Sequence, residues 1–337
     1  MLVVAALMTF YGCGQSSSPP QESEKEGGVE PKTVTPSGAG EGEAQDETAL
    51  RAVGNVPISG SIGENVGGDS FDVRVLDYFV SYKCYYPTHP YPDEVQHQYS
   101  EAGKFVVVSY SVTNTGAQGI QPTPIGTLHA ATGNNEEVYE QDDRITPGGR
   151  SSPEMQMNEI PPRQMRVSQF VFDVPIDADP QLVVVTDEPM KGSPSEVGVI
   201  DLTRSDPQGP RPEEILALQY EYNNMTAFEQ AYELFAQETK DRVPVQKYAS
   251  VQWEGTLAFL DYSFPSIDLR GDRATIDRVA TYTNGEETGQ DKATQEMVLE
   301  AGGWRVVMRD EQYELFLGGG EATSSSASAS RSASASP

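Results

Sequence analysis

Residues 82–99, YKCYYPTHPYPDEVQHQY, hold the densest group of side chains in this sequence that are able to bind a metal or contact a partner. The potential ligands for a borderline metal such as zinc are Cys84, His89, Asp93, Glu94 and His97. Their spacing is irregular, and Pro87, Pro90 and Pro92 interrupt it. The pattern therefore favours a loop between strands over a metal site, and we predict neither a bound metal nor a cofactor.

The same segment is also rich in tyrosine, an amphipathic side chain that often anchors contacts between proteins. The candidate partner-contacting residues are Tyr85, Tyr86, His89, Tyr91 and His97. The alternative is that these tyrosines pack on the edge of a neighbouring sheet.

No nucleophile elbow, HExxH motif or CxxC motif occurs in the sequence. In the C-terminal half, the residues whose types would suit a catalytic pocket are Asp261, Tyr262, Asp268, Asp277 and Tyr282. A carboxylate beside a tyrosine in an apolar cavity is an arrangement that enolising isomerases use. About half of the residues on alternating strands face outward, so we predict that the protein is not an enzyme.

The beginning of the sequence predicts export. Residues 2–11, LVVAALMTFY, form an apolar run that is too short to span a bilayer but suits a signal peptide. Residues 10–13, FYGC, resemble a bacterial lipobox, in which the cysteine thiol is alkylated with diacylglycerol and the chain is cut before it. The resemblance implies a signal peptide over 1–12, lipidation of Cys13 and an extracytoplasmic protein anchored to the cell membrane. Plain secretion and an uncleaved start are the alternatives.

The composition argues against two classes of binding function. The net charge of −28 argues against nucleic-acid binding, which needs clustered Lys and Arg. It also argues against electrostatic adhesion to anionic lipid. Residues 13–54 and 318–337 are rich in small and polar residues, which predicts a disordered linker and a disordered tail.

Between these flanks the hydrophobic pattern changes once. Residues 55–190 show period-two alternation, for example at 71–76 and 104–112, which predicts an antiparallel β-sandwich. After a linker at 191–210, residues 211–317 read as helices followed by strands, which predicts an α+β domain. Pro212 suits the first turn of a helix. Thr226 and Glu229 have the spacing of a capping box, so Thr226 is the predicted N-cap of a second helix.

Two segments of the sandwich region resemble a telokin-like, immunoglobulin-like domain of unknown function common in bacterial lipoproteins. They are KFVVV at 104–108 with VTNTG at 112–116, and VFDVP at 171–175. The resemblance implies an antiparallel sandwich without established catalytic residues.

The C-terminal region looks like the cystatin-like, nuclear-transport-factor-like cone of many exported bacterial proteins. The residues that carry this resemblance are 220–235 and VLEAGGWRVVM at 298–308. Such cones wrap a curved sheet around a helix, and some are isomerases or dehydratases. We therefore predict a lipid-anchored envelope protein with a non-catalytic binding or scaffolding role, for an unknown protein or small-molecule ligand. An exported isomerase or dehydratase is the alternative.

Overall fold

A computed structural model describes residues 58–67, 70–87, 95–142, 159–187, 195–207, 209–255, 258–283 and 288–317. All of these residues belong to one compact unit. The predicted signal peptide, Cys13, the linker over 13–54 and the tail over 318–337 lie outside the described residues. Strands dominate the described chain, and most of them pair antiparallel.

The first part is a β-sandwich of two sheets. Its strands are β1 (Gly60–Ile62), β2 (Asn65–Gly67), β3 (Phe71–Ser81), β6 (Gly103–Asn114), β7 (Pro124–Thr132), β8 (Asn135–Glu140), β9 (Met165–Pro175), β10 (Asp179–Asp187) and β11 (Ser195–Ser205). One sheet has the order β1-β11-β10-β7-β8 and the other β2-β3-β6-β9. A separate hairpin, β4 (Lys83–Pro87) and β5 (Val95–Tyr99), connects β3 to β6.

Alternating strand residues fill the space between the two sheets. Val73, Val106, Phe170, Leu128 and Val183 are all fully buried there. β11 pairs with both β10 and β1, although it lies in the stretch that the sequence assigned to a linker over 191–210. The sandwich therefore extends at least to residue 205.

The second part contains five helices among the described residues and a four-stranded antiparallel sheet. The helices are α1 (Pro212–Asn224), α2 (Phe228–Glu233), α3 (Gln237–Arg242), α4 (Val245–Gly255) and α5 (Asp310–Leu317). The strands, in spatial order, are β12 (Ala258–Arg270), β13 (Arg273–Thr283), β14 (Thr288–Glu300) and β15 (Gly303–Val306). Helices thus precede a meander, as the pattern of 211–317 predicts.

The structure places α2 where the sequence predicts a second helix, and two further short helices, α3 and α4, follow it. Pro244 accounts for the break between α3 and α4, because proline disfavours a helical conformation in the residue before it. Val243 accordingly ends α3 with an extended backbone. α4 then starts directly after the proline.

Helix α1 is buried along its whole length. It contacts β3 and β9 of the sandwich as well as β12 and β15 of the second sheet. Leu76 and Val167 from the sandwich therefore share one apolar cluster with Leu216. The sandwich and the α+β region are joined by packing across α1.

No helix in the described ranges is long and apolar enough to cross a bilayer.

Candidate ligand-binding cleft

A cleft of about 480 Å³ lies where the end of β3 meets the turn between α1 and α2. We call it the Tyr82 cleft. Its apolar wall consists of Phe79, Val80, Met225, Ala227, Phe228 and Ala249. Its polar lining consists of Ser81, Tyr82, Lys83, Tyr99, Thr226, Glu229 and Gln230. The volume falls within the range of small-molecule sites.

Two tyrosines at the base of the β4–β5 hairpin project into solvent beside the cleft. Tyr82 is 65% exposed and Tyr99 is 64% exposed. The backbone N–H of Ser100 donates to the carbonyl of Tyr82, which closes the base of the hairpin. Asp173 on β9 then accepts hydrogen bonds from the hydroxyl of Ser100 and the backbone N–H of Glu101. The sandwich thus fixes the strand ends that carry both rings.

The opposite wall of the cleft contains a strained turn at Thr226. The N–H of Thr226 donates to the carbonyl of Asn223, and the N–H of Ala227 donates to the carbonyl of Tyr222. This is a Schellman motif, in which the residue after the C-cap is usually glycine because it is left-handed. Thr226 occupies that position with φ of 56°. A β-branched residue there costs on the order of 1–2 kcal/mol.

The side chain of Thr226 adds a second local cost. Its hydroxyl oxygen is buried and makes no hydrogen bond to the described residues. Two asparagines hold the turn in place from outside the cleft. Asn223 accepts a hydrogen bond from the hydroxyl of Tyr248, and Asn224 both donates to and accepts from the backbone of Phe259. A strained conformation held by its surroundings is a recurring property of functional sites.

This geometry corrects the predicted capping box. The N-cap of α2 is Ala227, and it makes no side-chain capping bond. Only three residues separate α1 from α2. Thr226 is therefore used to end the first helix, and its left-handed backbone prevents it from beginning the second.

Three of the five predicted partner-contacting residues lie on the β4–β5 hairpin, whose base carries Tyr82 and Tyr99. Tyr85 and Tyr86 lie on β4, His97 lies on β5, and Tyr85 pairs with His97 across the hairpin. His89 and Tyr91 lie outside the described residues. Within the described residues, no three His, Cys, Asp or Glu side chains are grouped as metal ligands.

Behind the cleft, α1 meets the sandwich through a buried polar network. The hydroxyl of Tyr222 donates to Oδ2 of Asp77 at 3.1 Å, and the hydroxyl of Ser109 donates to Tyr222 at 3.4 Å. Burial raises the pKa of the Asp77 carboxyl, although its hydrogen bonds oppose that shift. Phe79, which lines the cleft, packs edge-on against the ring of Tyr222 at 5.4 Å.

One turn before Thr226, α1 places Glu221 in the interior. Burial raises the pKa of Glu221 to about 8, and the nearby Tyr262 and Asn224 only partly oppose this shift. The hydroxyl of Tyr262 accepts a hydrogen bond from the backbone N–H of Val167. A buried carboxyl beside a tyrosine suits proton abstraction. However, Oε2 of Glu221 is fully enclosed, so a substrate cannot reach it in this conformation.

The first turn of α1 carries a different carboxylate. Oε2 of Glu214 accepts from Nη1 of Arg74 at 2.8 Å, and Oε1 accepts from Nη2 of Arg211 at 3.0 Å and from the hydroxyl of Ser111 at 2.8 Å. Burial alone would raise the pKa of Glu214, but the hydrogen bond and charge of Arg211 and the charge of Arg74 outweigh burial and lower it. Glu214 is therefore an ionised anchor between α1 and the sandwich.

The candidate catalytic set in the second sheet is not assembled. Asp261, Asp268 and Asp277 are exposed. Asp268 pairs with Arg270, and Asp277 accepts a hydrogen bond from the hydroxyl of Thr294. These carboxylates therefore lie on the surface and do not line a common buried pocket.

Comparison with known proteins gives no family. No protein-family model and no curated protein matches the sequence. The chain has a partial likeness to a SEC-C motif containing protein from Rhodopseudomonas palustris, with 17% identity, a TM-score of 0.26, and coverage of 29% of this chain and 75% of the other. It also resembles an uncharacterized β-sandwich protein from Clostridium difficile, with 14% identity, a TM-score of 0.27, and coverage of 43% and 95%. Because both TM-scores are low, these two likenesses do not support the fold. We assign the β-sandwich from the strand pairing within this chain.

Sequence reasoning singled out segment 82–99, but the candidate contacts that it named there do not include the two tyrosines that line the cleft. Tyr82 and Tyr99 are the first and last residues of that segment. Nothing in the sequence brings Phe79 and Phe228 into one cleft, because they are 149 positions apart and only the packing of α1 on the sandwich joins them. Threonine at the end of a helix, where glycine is usual, was the available signal for Thr226.

Proposed function

We propose that this protein is an exported, lipid-anchored envelope protein that binds a ligand in the Tyr82 cleft without chemically altering it. The observation that carries the binding role is the meeting of two exposed tyrosine rings with the strained turn at Thr226 in one cleft. Exposed rings are costly in a free protein, and strained turns recur at functional sites. A bound ligand would cover the rings.

The lipid anchor is supported by the sequence alone. The apolar run at 2–11 ends at Cys13, and the segment over 13–54 suits a polar spacer between membrane and folded region. An immunoglobulin-like sandwich followed by a cystatin-like cone is the finer assignment of fold that we propose. It agrees with strands that precede helices and a final four-stranded meander.

Fractionation tests the anchor. The full chain and the Cys13→Ala variant are expressed in a bacterial host and separated into membrane and soluble extracytoplasmic fractions. We expect the wild type in membranes and the variant released from them. Equal membrane retention of the variant, or an unmodified Met1 in a cytosolic pool, contradicts the proposal.

Binding of the fluorescent dye 1-anilinonaphthalene-8-sulfonate to the purified full chain tests the cleft. The dye should bind the wild type saturably, and Tyr82→Ala and Tyr99→Ala should each weaken binding several-fold. Leu269→Ala is the control, because Leu269 is similarly exposed at 59% and does not line the cleft. The binding role is wrong if the dye does not bind, or if all three variants bind it equally.

A further inference from the structure

Among the described residues that line the Tyr82 cleft, the charged side chains are Lys83 and Glu229, so their charges balance, although the chain as a whole carries −28. A site for an anion or a cation is usually lined by one sign of charge, since complementary potential supplies the attraction. These described residues therefore suit a ligand without net charge.

The same lining combines ring faces with groups that both donate and accept hydrogen bonds. Tyr82 and Tyr99 offer exposed rings, while Ser81 and Gln230 provide a hydroxyl and an amide group. An acyl chain would cover the rings but would offer no hydrogen-bonding group to Ser81 and Gln230. A ligand with apolar C–H faces and polar edges satisfies both kinds of surface at once.

We propose that the Tyr82 cleft binds a short, uncharged oligosaccharide. This inference rests on the proposed binding role of the cleft. The C–H faces of the sugar rings pack on Tyr82 and Tyr99. Sugar hydroxyls hydrogen-bond to Ser81 and Gln230 at the rim. A volume of about 480 Å³ accommodates a ligand of a few rings.

The test titrates the purified full chain with N,N′,N″-triacetylchitotriose and cellotriose, two neutral trisaccharides, by calorimetry and by displacement of 1-anilinonaphthalene-8-sulfonate. At least one trisaccharide should bind saturably and displace the dye. Tyr82→Ala and Tyr99→Ala should each lower its affinity by about tenfold. Gln230→Leu, which is similar in size and removes the amide, should lower trisaccharide affinity more than dye affinity. Leu269→Ala should bind like the wild type.

Three outcomes overturn the oligosaccharide. If the dye binds in a Tyr82-dependent manner and neither trisaccharide displaces it, the ligand class is wrong while the binding role survives. If the uncharged peptide N-acetyl-Gly-Tyr-Gly-amide displaces the dye and both trisaccharides fail, the site is one for a peptide. If the dye itself does not bind the wild type, the binding role has failed together with the ligand class.

Discussion

The hydroxyl of Tyr222 on α1 lies 3.1 Å from Oδ2 of Asp77 on β3, across the surface where the helix meets the sandwich. A bulge between Val75 and Asp77 interrupts the pairing of β3 with β6 at this point. Such a bulge redirects the side chains that follow it. Asp77 thereby meets the helix, while Val75 remains in the core between the sheets.

Removing the hydroxyl of Tyr222 should destabilise the protein. Tyr222→Phe leaves both Asp77 and Ser109 without this partner in a buried place, so we expect a loss of about 1–3 kcal/mol in the free energy of unfolding. Urea unfolding followed by circular dichroism measures the loss. Tyr82→Phe is the control, since its exposed hydroxyl should contribute within about 0.5 kcal/mol. Equal stabilities of the two variants would show that the Asp77 contact contributes nothing.

The buried carboxyl of Glu221 should make stability depend on pH. Its pKa is raised from 4.5 to about 8 in the folded chain. Between these values the folded state holds a proton that the unfolded state has released. The free energy of unfolding should therefore fall as pH rises through this window, by up to about 1.4 kcal/mol per pH unit from this group.

Glu221→Gln separates this contribution from those of other groups. The variant should gain stability relative to the wild type as pH rises from about 5 to 8, and the difference should level off above pH 8. Urea unfolding over this pH range measures it. Glu238→Gln, at an exposed position on α3, should follow the wild-type profile. A stability difference between Glu221→Gln and wild type that is constant with pH would contradict the raised pKa.

Periodicity predicted most strands because period-two alternation records a single buried face. It could not predict that β6 is covered on both faces. Val106 and Val108 face the sandwich core, whereas Phe105 and Val107 pack with Met225 from the end of α1. The continuous apolar run at 105–108 reflects burial on both faces of β6. The sequence around this run does not indicate that Met225, 117 positions after residue 108, covers the second face.

The sequence does not indicate that two acidic residues of α1 lie in the interior. Glu214 and Glu221 are both buried, although ionisable side chains are seldom found in protein interiors. Their environments differ because Arg74 and Arg211 pair with Glu214, while burial dominates at Glu221. Glu214 stays charged because two arginines pair with it. Arg74 is more than 100 positions away in the sequence, whereas Arg211 directly precedes α1.

Relieving the strain at Thr226 should stabilise the fold. Thr226→Gly removes the left-handed penalty and the unpaired hydroxyl, at some cost in unfolded-state entropy. We expect a gain of about 0.5–1 kcal/mol in the free energy of unfolding. The neighbouring Ala227→Gly variant is the control. Ala227 has a negative φ, so glycine there should lower stability. Destabilisation by both variants would contradict the strain at Thr226.

Glu214 should be the carboxylate of α1 whose charge the fold requires. Glu214→Gln keeps the shape of the side chain but places an amide among the guanidinium groups of Arg74 and Arg211, so we expect a loss of about 3–5 kcal/mol. The adjacent Glu213→Gln is the matched control. Burial raises the pKa of Glu213 despite the opposing charge of Arg211, so its ionised form is disfavoured and a neutral amide should cost less than about 1 kcal/mol.

The pH dependence of these two variants should separate them further. The pKa of Glu214 is lowered in the folded chain, so its contribution is present above about pH 4.5 and is lost as pH falls through the lowered value. The difference between wild type and Glu214→Gln should therefore shrink in acid, when measured by urea unfolding between pH 3 and pH 7. The difference for Glu213→Gln should change in the opposite direction, because a raised pKa makes the wild-type side chain less favourable as pH increases. If the two variants lose equal stability at pH 7, the anchoring role of Glu214 between α1 and the sandwich is wrong.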